Sequence, residues 1–260
     1  MKNRIYELKD FYILWSTQGL SQLGSTMTNF ALTLWLYQAT GSALQTALLS
    51  VCSYTPYVLM SIFAGAFSDK WDKKKTMLVC DTLAACCTLL VFGLLKAGML
   101  CPWHLYLLNG INGLMNTVQS PASDVAVTLI TPRKYYQKTS GLRSFSNSLI
   151  TILHPMLATS FYAIGGMDFV IIVDLCTFFA AFLALLFGVK IPEAGGNCEE
   201  RESLLGSVKA GLHCLNENRL VLVLILFLAG VNLVASAFDA VLPAFILPRE
   251  NGGEGILGIV

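Results

Sequence analysis

The stretch GAFSDKWDKKK, residues 65–75, places six charged side chains in seven consecutive positions, Asp69, Lys70, Asp72, Lys73, Lys74 and Lys75, in a chain where only 13% of residues are charged. A soluble domain is about 25% charged. Here 55% of residues are hydrophobic and mean hydropathy is +0.64. The apolar residues gather into runs at roughly 11–37, 44–67, 76–97, 104–130, 141–164, 168–189 and 219–247. Each run reaches the ~20 residues that a membrane-spanning helix needs. The expectation is an all-α polytopic membrane protein with seven spans, the charged stretch joining the second to the third.

The leader MKNRIYELKD precedes an apolar run too long for a secretory signal, and no small-residue cleavage site follows it, so the first run is expected to stay as a helix. Short loops rich in Lys and Arg remain on the cytoplasmic side. With the N-terminus inside, 15 of the 17 basic residues fall on inner segments, and only Lys96 and Arg249 fall outside. The expected location is therefore the cell (inner, cytoplasmic) membrane, multi-pass, with a cytoplasmic N-terminus. On this reading residues 65–75 are at least a topology anchor facing an anionic leaflet.

An anchor needs only positive charge, yet Gly65 stands four residues before Asp69, and Lys70, Asp72, Lys73 and Lys74 follow in order. That pattern resembles the loop between the second and third spans of the major facilitator superfamily, Gly-x-x-x-Asp-(Arg/Lys)-x-(Gly/Asp)-(Arg/Lys)-(Arg/Lys). The resemblance implies that the acid tethers a helix of the opposite half in one conformation, so that Gly65, Asp69, Lys70, Asp72, Lys73 and Lys74 form a gating loop. Three further stretches are similar to the drug-efflux branch that includes macrolide exporters: LWSTQGLSQLGSTMTNFALTLWLYQATGSALQTALLS, SPASDVAVTLITPRKYYQKTSGLRS and LGSVKAGLHCLNENRLVLVLI. The resemblance covers almost the whole chain.

Family members have about twelve spans in two six-span bundles, with substrate held between them. This chain stops at GILGIV, where an eighth span is expected, and so reads as truncated. The expected organisation is a six-helix transmembrane bundle over residues 1–190, a cytoplasmic linker with an amphipathic helix over 191–218, and a seventh span over 219–260 beginning an incomplete second bundle. The linker follows from the polar break IPEAGGNCEERESLLG. The intact protein is then expected to include the missing C-terminal bundle as partner.

Polar side chains within spans are costly and face a cavity or another helix. Gln18, Gln22, Ser25 and Asn29 fall on one helical face in the first run, and Asn109, Asn112, Asn116 and Gln119 do so in the fourth. The fifth run adds Ser144, Asn147, Thr151 and His154, and the seventh adds Asn232, Ser236 and Asp239. In the family the first, fourth and seventh spans line the central cavity, so these residues are candidates for a substrate cavity; small polar residues that join packed helices would produce the same pattern.

An Asp at a helix centre costs ~2.5–3.5 kcal/mol to insert, and a carboxyl group away from bulk water can exchange protons in the physiological range. Asp239, well inside the seventh run, is the first candidate for proton coupling or for holding a cationic substrate. Asp81, near the inner end of the third, is a candidate that could equally be structural; Asp174 lies near the outer part of the sixth. Asp124 is expected to pair with the basic junction after the fourth run. His154, before Pro155, could titrate or simply pack as a neutral ring. Many proton-driven exporters of the family carry an arginine inside the fourth span, but no Lys or Arg lies between Lys96 and Arg133.

Enzyme chemistry is not expected. The eight cysteines form no Cys-x-x-Cys pair, no phosphate-cradling motif is present, and a net charge of +1 argues against a nucleic-acid partner. No cofactor or metal is expected. The partners are a small-molecule substrate and membrane lipids, and the expected function is secondary active export of small amphipathic, macrolide-like compounds by alternating access, with proton antiport. An importer or lipid flippase of the same fold, or an inactive truncated fragment, is the alternative.

Overall fold

A computed structural model describes residues 7–192 and 218–246, with backbone alone at 62–70, 233 and 236–246. All regular structure among these residues is helical: α1 Lys9–Thr40, α2 Ala43–Lys70, α3 Lys73–Lys96, α4 Pro102–Ile130, α5 Tyr136–Leu183 and α6 Arg219–Ile246. A 3-10 turn, Arg133–Tyr135, leads into α5, and a π-helical turn, Ala184–Gly188, ends it. The linker and amphipathic helix expected over 191–218 lie outside the described residues except for 191, 192 and 218, as does everything beyond 246.

Local sequence chemistry sets the ends of these helices. Gly41 closes α1 with φ 63°, donating its N–H to the Tyr37 carbonyl, the left-handed conformation that glycine adopts at least cost. Asp72 caps α3, accepting from the Lys75 N–H at 3.0 Å, and so satisfies one of the orphan donors of a helix start. Inside α5, Gly166 has φ 66° and ψ −165°, a conformation closed to side chains with a Cβ. The helix continues through Pro155 and breaks at Gly166 instead.

Contacts along α1 reveal what that break does. Trp15 donates to the Leu142 carbonyl, and Tyr162 donates to Gln38, so α1 and the first arm of α5, residues 136–165, run the same way. Ser25 donates to Asp174, and Leu14 packs in one cluster with Leu185, so the second arm, from 167 onward, runs against α1. The arms are therefore opposed, and Gly166 reverses the chain. By the same reasoning α2 and α4 are parallel, since the Tyr106 hydroxyl donates to the Gln45 carbonyl and Gly113 lies against the Ser53 backbone. Residues 7–192 thus form a bundle of six helical limbs, corresponding to the first six of the seven apolar runs read from sequence.

Two apolar clusters stand at different heights in this bundle. One joins Met27, Ala31 and Leu36 to Val91, Leu105, Val170 and Ile171. The other joins Leu14 and Met77 to Ala122, Ala126, Leu185 and Val189. Between them lies a polar layer that contains Gln18, Asp81, Gln119 and Asp174.

The outer surface is apolar. Val58 is 60% exposed, Leu90 57%, Ile152 63% and Phe179 61%, and Leu220, Val223, Leu226 and Phe227 of α6 are exposed as well. Continuous apolar surface of this kind is unstable in water and is what a lipid environment accepts. Among the described residues, α3 and the stretch Arg133–Gly188 are long and apolar enough to cross a membrane by length and composition. The polar stripes dilute the hydropathy of α1 and α4.

Candidate functional site

The polar layer encloses a cavity of about 480 Å³. Both sequence stripes line it: Gln18, Gln22, Ser25 and Asn29 from α1, and Asn109, Asn112, Asn116 and Gln119 from α4. Asp81 of α3 and Asp174 of the second arm of α5 lie on the same wall system, with Asn147 and Arg143 from the first arm. The helical period explains the coincidence. Residues three and four apart share a face, so once one member of a stripe points inward the rest follow.

Asp81 is 9% exposed and held from two sides. Gln18 donates its side-chain amide to one carboxylate oxygen at 3.1 Å, and the Gln119 amide donates to the other. The carboxylate therefore ties α1, α3 and α4 together, the structural alternative left open for it by the sequence. Asp174 is 3% exposed and accepts from the Ser25 hydroxyl at 3.1 Å. By sequence it sits in the outer part of its own arm, but in the bundle it is level with Ser25, the midpoint of the longer α1. Gly24 allows this approach, because a Cβ there would stand 3.1 Å from the Asp174 Cα.

Arg143 is the cationic side chain among the described residues lining the cavity, and it pairs with Asp124. The sequence placed Asp124 beside the basic junction, and that pairing is what the structure has. Among the described residues, two buried atoms of the cavity close no hydrogen bond of good geometry: the Thr28 hydroxyl, which faces the Asp174 carboxylate, and the Asn112 carbonyl oxygen. Thr28 escaped the sequence reading, as did Ser21 and Ser123, which also line the cavity. The helical period could have found them, since 18, 21, 22, 25, 28 and 29 continue one face.

Other candidates fall elsewhere. The His154 ring nitrogen contacts the Ile150 carbonyl of its own helix at 3.0 Å, and the ring packs edge-on against Phe30; it is not on the cavity wall. Asn232 is exposed and donates to the Leu228 carbonyl one turn back, so it is not among the cavity residues. The side chains of Ser236, Asp239, Asp69 and Lys70 are not described, and Gly65 is described by its backbone fold alone.

The rest of the charged loop has local partners. Asp72 caps α3, and the Lys73 ammonium donates to the Trp71 carbonyl at 2.9 Å. The Lys74 ammonium crosses to the end of α5 and donates to the Leu186 and Val189 carbonyls at 3.0 and 2.8 Å, where a cation complements the exposed carbonyls of a helix C-terminus. The same end of the bundle gathers Lys138, which donates to the Tyr12 hydroxyl, and Lys134, paired with Glu7 at 2.6 Å. That hydrogen bond and the adjacent negative charge raise the Lys134 pKa above its ordinary 10.5.

A sequence profile described as Major Facilitator Superfamily matches residues 14–258. The chain is 22% identical over 243 residues to macrolide efflux protein A of Streptococcus pyogenes, covering 93% of this chain and 60% of that protein. It is 26% identical over 258 residues to the uncharacterised MFS-type transporter YkuC of Bacillus subtilis, covering 97% of this chain and 56% of that protein. A macrolide efflux protein A of Enterococcus faecalis is 22% identical over 213 residues, covering 82% of this chain and 65% of that protein. The chain spans under two thirds of the length of these relatives.

Proposed function

Since this chain belongs to the major facilitator superfamily, whose members are membrane transporters and not enzymes, we propose that it is a secondary active exporter of small amphipathic compounds, or the first seven spans of one. The observation that carries this reading is the polar cavity within an apolar-surfaced bundle. A volume of about 480 Å³ lies in the range of small-molecule sites, and its amide and hydroxyl lining, maintained against the cost of polar groups in a membrane, is suited to an amphipathic guest. Similarity to macrolide efflux proteins supports an outward direction.

In this proposal the bundle lies with its basic end, which carries Lys74, Lys134 and Lys138, toward the cytoplasm. Residues 191–218 link it to a second bundle of which α6 is the first helix, and the exposed apolar face of α6 meets lipid or that bundle. Substrate contacts the α1 and α4 stripes while the two bundles rock about it. Asp69 latches the closed inner gate, and Lys74 and Asp72 hold the helix ends on either side of the loop. Export is driven by proton exchange through a carboxylate drawn from Asp81, Asp174 and Asp239.

The test is accumulation of a fluorescent amphipathic drug in cells expressing the protein from its complete gene. Expressing cells should hold less drug than controls, Asn116→Leu with Gln22→Leu should abolish the difference, and Asp69→Asn should impair efflux while membrane insertion is unchanged. Equal accumulation in expressing and control cells would remove the exporter reading; greater accumulation would make the protein an importer.

A further inference from the structure

The buried contact of Asp81 with two glutamines decides which polar atoms part of the cavity wall presents. Gln18 of α1 donates a side-chain N–H to one Asp81 oxygen at 3.1 Å, and Gln119 of α4 donates to the other oxygen. Both glutamines line the cavity. A carboxylate only accepts hydrogen bonds, whereas a primary amide carries an acceptor on one branch and donors on the other. Each glutamine can therefore meet the Asp81 carboxylate only through its nitrogen, and the flip of both planar groups is fixed. Their carbonyl oxygens are turned off the carboxylate, and neither accepts a hydrogen bond among the described residues. The cationic donor on the same wall system, Arg143, is engaged by Asp124.

We infer that Asp81 is a positioning residue for substrate selection: it holds Gln18 and Gln119 so that their carbonyl oxygens face the guest, and so favours a guest that brings a hydroxyl to that wall, without touching the guest itself. The inference rests on the transporter reading of the same cavity and adds to it a residue that sets the wall's hydrogen-bond polarity. An amide in place of the carboxylate has one acceptor and one donor branch. It can still accept from one glutamine, but it must donate to the other, which then turns its carbonyl inward and its N–H groups toward the cavity. Side-chain volume and the tie between helices are nearly unchanged, while one acceptor on the wall becomes a donor. Changing Gln119 to an acid at the same time reverses this, because the new carboxylate accepts from the introduced amide with one oxygen and offers its other oxygen to the guest.

The experiment measures binding to the protein in lipid nanodiscs with two neutral fluorescent probes of nearly the same shape, N-hydroxypentyl dansylamide, whose terminal hydroxyl can donate, and its methyl ether, whose terminal oxygen can only accept. The alcohol is expected to bind about fivefold more tightly than the ether, the worth of a typical net hydrogen bond. Asp81→Asn should bring the two probes within about twofold of each other, in part by tightening the ether, a gain that damage to the fold does not produce. Asp81→Asn combined with Gln119→Glu should restore the preference for the alcohol. Equal binding of the two probes by the unaltered protein would overturn the inference, as would a preference unchanged by Asp81→Asn. Weakening of both probes alike in Asp81→Asn, without recovery in the double variant, would reduce Asp81 to a structural tie and overturn it too. Absence of binding by both probes to a protein that still exports drug would overturn the inference alone; absence of both binding and efflux would count against the transporter reading itself.

Discussion

The close approach between α2 and α4 offers a sharp test of the bundle. A Cβ at Gly113 would stand 3.0 Å from the Ser53 carbonyl carbon and 3.4 Å from its Cα, with the carbonyl oxygen nearer still. These are backbone atoms inside a helix, so no rotamer change can relieve the overlap; α2 and α4 must move apart. Overpacking of this kind costs about 1–3 kcal/mol, and a gap of 0.5–1 Å along the seam forfeits roughly a quarter to a half of each dispersion contact across it. Helix propensity returns up to about 1 kcal/mol when Gly becomes Ala. The net expectation for Gly113→Ala is a loss of about 1–2 kcal/mol, a five- to thirtyfold fall in the folded-to-unfolded ratio. Gly93, on α3, has nothing within 4 Å of the point a Cβ would occupy, so Gly93→Ala should be neutral or stabilising by up to about 1 kcal/mol. Reversible unfolding in mixed micelles, followed by circular dichroism against the fraction of denaturing detergent, measures both. If the two variants have the same midpoint, the α2–α4 contact is not as close as described.

Two further outcomes concern the basic end of the bundle. Lys74→Met keeps the aliphatic stem but removes the donor to the Leu186 and Val189 carbonyls; amide exchange at the end of α5, residues 184–189, should accelerate about fivefold, equivalent to about 1 kcal/mol of local opening. The hydrogen bond from Lys134 to Glu7 raises the lysine pKa, so its contribution to stability is present below the unfolded value of about 10.5 and is lost as pH rises through the higher folded value. Glu7→Gln should bring the Lys134 titration, followed by NMR of the labelled side chain, back toward 10.5; an unchanged titration would show that Glu7 is not the cause.

Much of the fold was legible because helical periodicity and span length are local properties. The apolar runs needed only length, and the Gln18–Asn29 and Asn109–Gln119 stripes needed only the 3.6-residue period to share a face. What lies across helices was not legible in the same way. Nothing in the spacing of Gln18, Asp81 and Gln119 says that one carboxylate would collect both amides, since that depends on the relative rotation and height of three helices. Asp174 shows the same limit: its position in its own arm gives no sense of its height against α1. His154 and Asn232 were candidates because polar residues in apolar runs are costly, yet each has a hydrogen-bonding contact with the carbonyl four residues back in its own helix. A polar side chain that finds a partner within its own turn looks, in sequence, just like one that faces a cavity.

Placing Asp174 beside Ser25, at the midpoint of α1, has an electrical consequence. A group halfway through a bilayer sits about halfway through the transmembrane potential, where a unit charge changes energy by about 1 kcal/mol per 100 mV, half the full-crossing value of about 2.3. A proton moving between Asp174 and either side of the membrane would therefore work with or against the voltage over half its range. Protonation of that carboxylate would depend on membrane potential even when the pH on the two sides is equal.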